Sequence, residues 1–590
     1  MPPADLMKVD GFVSLLDGMH GGINPALLTE TAYAKGINVS SRGGLIHTRP
    51  SFVRENIVLP AGVFQGAGVW SLESGDRLVA VISGRLVSIL VDTLALVDHG
   101  VFFDAAAQCF FCQADRFLVI QDGVSTPQVL QDIGGVASVY AYPYDEAAGQ
   151  IDPEAEVGSA TYGVPLDKRI PVGNTMVFAH GRIHLASGPY FTSGDVLQPD
   201  YPASCLVFTE TQYFNEGGSH TLPMEMGGIH GMAVMRNAAT GTGVGSVIVA
   251  GRRGISGFDL SNPRTQWGSI NLAQVLFFDA GTLSPWSFLS VNDDLVYRSQ
   301  DGLRFLRYTS TRVAGGSGSL SNVPQSEEVA QFLALDAAGG YLPYVSTAAF
   351  GNLVFATCSG TGGRFFRGLI SLDTAQVAAM TGEDAASYDG VWTGLDFAQV
   401  LTACRDGQPN TFLFTKTPSL YRLDSDVTND YNGTAFVPIQ ARLETRVFNF
   451  ESIDVKKLQF VELWLGDLVG NATLTVYYRP SGYPLWARAG QRVIQVASGS
   501  LPQTRRRLRI PIDSGVTFCD PVTQERLSSA TSFQFAIEWS GHLQIEAFRA
   551  VVQVVGEATP SVCDEDVQAV LAVSETAGVV LDDFGYRVES

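Results

Sequence analysis

The chain has 590 residues, of which 46% are hydrophobic and 16% charged, enough apolar surface to offset chain entropy and to exclude disorder of the whole. Its 38 Lys plus Arg stand against 59 Asp plus Glu, a net charge of −21, which argues against an ordinary DNA-binding surface, where basic side chains displace phosphate counterions. Seven cysteines without a dense spacing pattern give no disulfide framework and fit a reducing cytosol, and no apolar run reaches the roughly 18 residues of a spanning helix, so a soluble protein is expected.

Residues 1–55 read as an N-terminal segment. Asp10 and Asp17 follow Lys8 and interrupt any apolar stretch that a secretory signal would need. The segment carries Gly21-Gly22-Ile23-Asn24-Pro25, then Gly36-Ile37-Asn38-Val39-Ser40-Ser41-Arg42-Gly43-Gly44-Leu45, then Thr48-Arg49-Pro50. Arg42-Gly43-Gly44 predicts a turn between strands Ile37–Ser41 and Leu45–His47, with glycine supplying positive φ. The strands of this segment either complete the last unit of the next domain or join another subunit.

Residues 56–440 are mostly β. A polar turn, four or five apolar residues and a glycine turn recur at Gly75–Gly84 and Ala114–Gly123, and similar units start near His180, Gly245, Asn292, Gly351 and Gln408. Spacings of about 40 to 65 residues suit one four-stranded blade per unit and predict a β-propeller of about six blades. Within it, Cys109 and Cys112 read as two buried structural thiols. His180 and His184 lie too far apart on a strand to share a metal, and Ser299-Gln300-Asp301-Gly302 reads as a turn.

Around Phe436 to Glu444 the charge balance changes. Residues 1–440 carry 24 basic and 41 acidic side chains, 441–558 carry 13 and 11, and 559–590 carry 1 and 7. Residues 441–558 alternate cleanly over Leu474–Arg479 and Phe533–Trp539, and Ser540-Gly541-His542 then predicts a hairpin turn into Leu543–Phe548, a β-sandwich-like pattern. Arg505, Arg507 and Arg509 would share one strand face, either solvated, or in contact with an acidic patch on another subunit, or touching phosphate. Tyr483 and Trp486 could stack on sugar or pack between domains. Residues 559–590 form an acidic tail, with a short helix expected over 562–574; it is either solvated or an arm that docks on a neighbouring subunit.

No P-loop, dinucleotide fingerprint, HExxH, GxSxG or EF-hand loop occurs. Catalytic residues, cofactors and metals are therefore not expected, although paired carboxylates that meet only in space would leave no such signature.

The pattern GG-x-NP, then GxNV-x-x-RGG, then RP resembles the tail nozzle or tail tubular proteins of short-tailed bacteriophages, a family that includes packaged-DNA stabilisation proteins of the tail hub. Phe117–Gly123, Ile170–Gly173 with His180–Ile183, Asp294–Gly302 and the closing Gly541–Phe548 strand add to the likeness, which spans about residues 11–555. The resemblance implies a virion structural protein assembled in the host cytoplasm. It would form a homohexameric ring below the portal and adaptor that closes the channel after packaging and conducts DNA during ejection. Its partners would be further copies of itself, adaptor and portal-side proteins, tail fibres or spikes, DNA passing without sequence-specific binding, and the host envelope. Gly21, Gly22, Asn24, Pro25, Arg42, Gly43, Gly44, Arg49, Pro50, Arg505, Arg507 and Arg509 are the candidate motif or subunit-interface residues. Surplus carboxylates in 1–440 would face the channel and let DNA slide. The rival readings are a tail-tip adhesin and a propeller enzyme that degrades polysaccharide.

Overall fold

A computed structural model describes residues 7–140, 168–200, 202–208, 219–235, 246–267, 273–278, 280–291, 294–306, 324–374, 387–494, 506–512, 527–555, 580–581 and 587–588. The chain is mainly β and comprises a propeller and a β-sandwich. No helix among the described residues is long and apolar enough to cross a membrane.

The propeller begins with four separate four-stranded antiparallel sheets over Phe64–Val101, Phe110–Val139, Met176–Thr221 and Ala273–Phe278 with the three strands before it from Ile229. A three-stranded sheet follows over Leu289–Phe305. Thr347–Phe350, Leu353–Gly362 and Phe365–Asp373 pair in turn and then with the first half of the long strand Ser387–Arg405. The second half of that strand opens a last blade with Gln408–Thr415 and Leu420–Asp424, and Ser51–Arg54 completes it. Among the described residues the count therefore comes to seven blades.

Each apolar unit of the sequence falls on the second strand of a blade. Arg77–Ile82 and Phe117–Gln121 are buried at every position, because a blade stacked between two neighbours covers both faces of its middle strands and removes the alternation of a one-sided sheet. The turns ahead of or behind these strands hold paired residues with positive φ, such as Ser83-Gly84 and His180-Gly181, which match the twist of a tight hairpin.

In the sandwich two long strands, Lys456–Pro480 and Phe533–Val554, run antiparallel along their whole length, with register shifts between Leu458 and Phe460 and again between Trp464 and Thr473. The expected hairpin at Ser540–His542 is a bend within one continuous strand: the same partner strand follows it through the bend, so the chain never reverses. One half of this ribbon carries Arg506–Pro511 and Met7–Phe12 at its edges, and the other carries Ala487–Ile494 and Gln440–Phe448. Ala32–Ile37 then pairs with Gln440–Phe448. Leu463, Leu474, Val476, Phe535, Ile537 and Phe548 are buried between the halves.

The N-terminal residues thus supply strands to the sandwich and the closing strand to the propeller. Their strand Ala32–Ile37 also meets the propeller strand Ser387–Arg405 through the parallel bridge Val391↔Ile37. The expected tail helix over 562–574 lies outside the described residues.

Candidate functional site

The motif residues of the N-terminal segment gather at the junction of the two bodies. Val39–Ser40 and Ile46–Thr48 pair across the Arg42–Gly44 turn, in which Gly43 and Gly44 have φ of 75° and 80°. Arg42 and Gly43 are exposed, while Gly44 is buried against Ser14 and Leu16. The hairpin brings Asn38 and Arg49 together.

Arg49 is almost fully buried and uses all five of its N–H groups. Nε donates to Asn38 Oδ1 at 2.9 Å, Nη1 to Pro50 O at 2.8 Å and Asp430 Oδ1 at 2.9 Å, and Nη2 to Thr393 O at 2.7 Å and Asp430 Oδ2 at 2.8 Å. Its guanidinium also lies over the Phe52 ring at 3.8 Å. Asn38 in turn donates from Nδ2 to Gln440 O at 2.8 Å and Thr393 Oγ1 at 2.9 Å. The planar fork therefore ties the hairpin to a propeller strand and to Asp430, which also accepts from Phe52 N on the closing strand, a geometry a lysine cannot reproduce, and Asn38 extends the tie to the start of the sandwich. Beside it, buried Asp389 accepts from Ser41 N and Oγ and from Ser371 Oγ; burial pushes its carboxyl up despite these bonds.

Gly21 and Gly22 lie against the segment that leads into helix Ala330–Gly339. Gly21 N donates to Glu328 O at 2.7 Å, and a Cβ would stand 2.7 Å from Gln331 Nε2 on Gly21 and 2.9 Å from Glu327 O on Gly22. Asn24 Oδ1 accepts from Ala26 N and caps the exposed turn Pro25–Leu27. Ile23 and Leu27 on this turn are exposed, Leu27 at 76%.

Glu328 has an Oε2 that is buried without a hydrogen-bond partner among the described residues, and burial pushes its carboxyl up to about 7. The folded protein holds that proton where an unfolded glutamate has lost it, so the group's contribution to stability declines as pH rises from about 4.5 to about 7. Glu328→Gln is expected to remove this decline and to gain about 2–3 kcal/mol at pH 8. Urea midpoints of both proteins at pH 5 and pH 8 check it; parallel pH dependence would refute the assignment.

The arginine strand forms a second assembly, on the outer face of the sandwich. Arg505 lies outside the described residues, while Arg507 and Arg509 are exposed on one face of Arg506–Pro511. Arg509 lies over the Phe460 ring at 3.4 Å, and Arg507 and Arg549 lie over Trp464 at 5.5 and 5.0 Å. Between them Glu462, buried at 1% exposure, receives Arg507 on Oε1 and Arg549 on Oε2, each at 2.5 Å. Burial pushes the Glu462 carboxyl up, and the hydrogen bonds and charges of the two arginines overcome it and hold it below the usual glutamate range.

The other sequence candidates are taken up in packing. Burial pushes the Cys109 thiol up and the Cys112 thiol up to about 12, so neither is an activated nucleophile. His180 sits in a turn, and buried His184 pairs through Nδ1 with Ser193 Oγ at 2.7 Å. Ser299 and Asp301 lie in the turn between Asp294–Arg298 and Leu303–Phe305, where Ser299 Oγ donates to Asp301 Oδ1 at 2.5 Å. Tyr483 packs on the sandwich core, and Trp486 lies beneath Arg479 and Arg442 at 4.6 and 5.5 Å. Among the described residues no group of three or more His, Cys, Asp or Glu is placed to hold a metal ion.

Sequence reasoning missed Asp430, Thr393, Glu328, Glu462 and Arg549. The alternation that marks Phe533–Trp539 could have been followed onward to Arg549, whereas nothing near Asp430 announces its partner 381 residues away. It also missed Trp286. This side chain reaches from the turn Pro285–Ser287 to the inner strand of blade one, where a Cβ on Gly66 would stand 2.8 Å from its ring. A cavity of about 280 Å³ adjoins it between the inner strands, lined by Gly68, Phe111, Leu289, Thr347 and Gln399 among others.

No family model and no curated protein matches the sequence. A chain from the solved structure "Crystal Structure of Mitotic Checkpoint Complex" is similar to this one at a TM-score of 0.31 and 10% identity, over 64% of this chain and 95% of that one. So loose an overlay carries no functional argument, and the propeller is read from the strand pairings themselves.

Proposed function

We propose that this chain is a structural subunit of a tail nozzle in a short-tailed bacteriophage, a homohexameric ring below the portal and adaptor that closes the DNA channel after packaging and opens it at ejection. The observation that carries the reading is that Gly21, Gly22, Asn38 and Arg49, which belong to the pattern of the resemblance, pack where the N-terminal segment joins propeller to sandwich. A ring that resists pressurised DNA needs its two bodies held in one orientation, and a five-bonded buried arginine does that without chemistry.

The position of Trp286 supports a DNA path between subunits, around the ring axis, and not through a propeller bore. In such a ring each subunit presents two different surfaces that close by rotation; the exposed Ile23–Leu27 turn is a candidate for one of them. The surplus carboxylates of 1–440 would line the channel and repel phosphate. The work is mechanical and non-enzymatic, and its partners are those of the tail: adaptor, fibres or spikes, passing DNA and the host envelope.

DNA-filled heads assembled without this protein test the reading. They are expected to lose nuclease-protected DNA on storage and to retain it when the purified chain is added back. Heads that retain DNA equally well with and without it would overturn the proposal.

A further inference from the structure

The outer face of the sandwich half formed by Arg506–Pro511, Lys456–Pro480, Phe533–Val554 and Met7–Phe12 is built to hold something acidic. Arg509 pairs in register with Glu462, as does Arg549, and Arg507 pairs with Trp464. Three arginines thus surround the single carboxylate of Glu462, with Glu546 nearer the bend. Among the described residues Arg509 has no carboxylate partner, and Arg507 keeps 55% of its side chain exposed. Guanidinium planes laid on Phe460 and Trp464 are held in place; Arg507 and Arg549 each give part of their N–H edge to Glu462, while that of Arg509 meets no carboxylate among the described residues, an arrangement suited to binding further carboxylates. Apolar surface adjoins the charge, with Val9 and Val13 at 54% and 79% exposure.

The chain itself supplies a matching segment. Val551 pairs with both Phe460 and Val9, so the strand that ends at Val554 leaves the sheet beside this face. Residues 559–590 hold seven carboxylates and one arginine, led by Asp564, Glu565 and Asp566 and followed by Val567, Val570 and Leu571. The nine residues from Gly556 to Asp564 can span about 30 Å, while Val551 to Val555 covers about 13 Å of strand. The acidic cluster can therefore reach Arg509, Arg507 and Arg549 within one molecule.

We propose that the C-terminal segment beginning at Thr559 docks on the Arg507–Arg509–Arg549 face of its own sandwich, its Asp564–Asp566 carboxylates on the guanidinium edges and its valines and leucine over the apolar rim. Docking is electrostatic and exposed, and so weakens with salt.

Hydrogen exchange of the full-length monomer tests this. At low salt the amides of residues 562–572 are expected to exchange roughly tenfold slower than in the Arg507→Ser/Arg509→Ser variant. They should also lose that protection at high salt. The tail variant Asp564→Asn/Glu565→Gln/Asp566→Asn, which leaves the sheet untouched, is expected to lose the same protection. Amides that exchange at the free-chain rate in the unaltered protein, or protection that survives both variants, would overturn the proposal.

Discussion

Replacing Arg49 by methionine is expected to cost about 3–5 kcal/mol, the range for stripping one partner from a buried ion pair. The loss is large because five hydrogen bonds vanish together. Asp430, with 22% of its side chain exposed, is left without its counter-charge, and the oxygens of Asn38, Pro50 and Thr393 lose a donor. Methionine keeps the length of the aliphatic stem, while the guanidinium's stacking on Phe52 is lost together with its hydrogen bonds. Urea unfolding of the full chain measures it, and because Arg49 bridges both bodies the variant is expected to unfold in two resolved steps. The double variant Arg49→Met/Asp430→Leu should recover part of the loss, since no lone charge remains. A single variant that loses under 1 kcal/mol would show that the joint is held elsewhere.

Gly390→Ala is expected to cost about 3–5 kcal/mol through a steric route. Gly390 has a φ of 113°, and a Cβ there would stand 2.2 Å from the carbonyl oxygen of Gly36. The obstacle is backbone, so relief requires the strands Ala32–Ile37 and Ser387–Arg405 to separate, which also draws Asn38 away from Val391 O. Gly407→Ala serves as the control: its φ is 74° with nothing within 4 Å of the added carbon, and only the left-handed conformation is penalised, about 1 kcal/mol. Equal losses in the two variants would mean that the close approach does not matter.

Much of the propeller was legible because its signal is local. A middle strand buried on both faces must be an apolar run between turns, and all seven apolar runs of the sequence lie on second strands. The runs are irregularly spaced, so a period read from them gives about six blades, whereas each of the seven runs marks a blade of its own; the last blade is closed by Ser51–Arg54, from ahead of the first. The hairpin around Arg42–Gly44 was legible for the same local reason. The bend at Gly541 was not, since glycine between two alternating runs signals a reversal equally well; only the uninterrupted partner strand decides.

The site was less legible than the fold. Arg49 and Asp430, or Glu462 with Arg507 and Arg549, meet through sheet register across tens to hundreds of residues, and no spacing rule reaches that far. The alternation of Arg507 and Arg509 did expose one face of the second assembly. It could not reveal the aromatic rings beneath, which come from another strand.

The most direct measurement is the mass of the purified full-length chain by light scattering, alone and after incubation with a portal–adaptor complex, with electron micrographs of the same peak. A sixfold ring seated on the complex is the expected result. A chain that stays a monomer or trimer and ignores the complex would contradict it and move the weight to sugar binding at a tail tip.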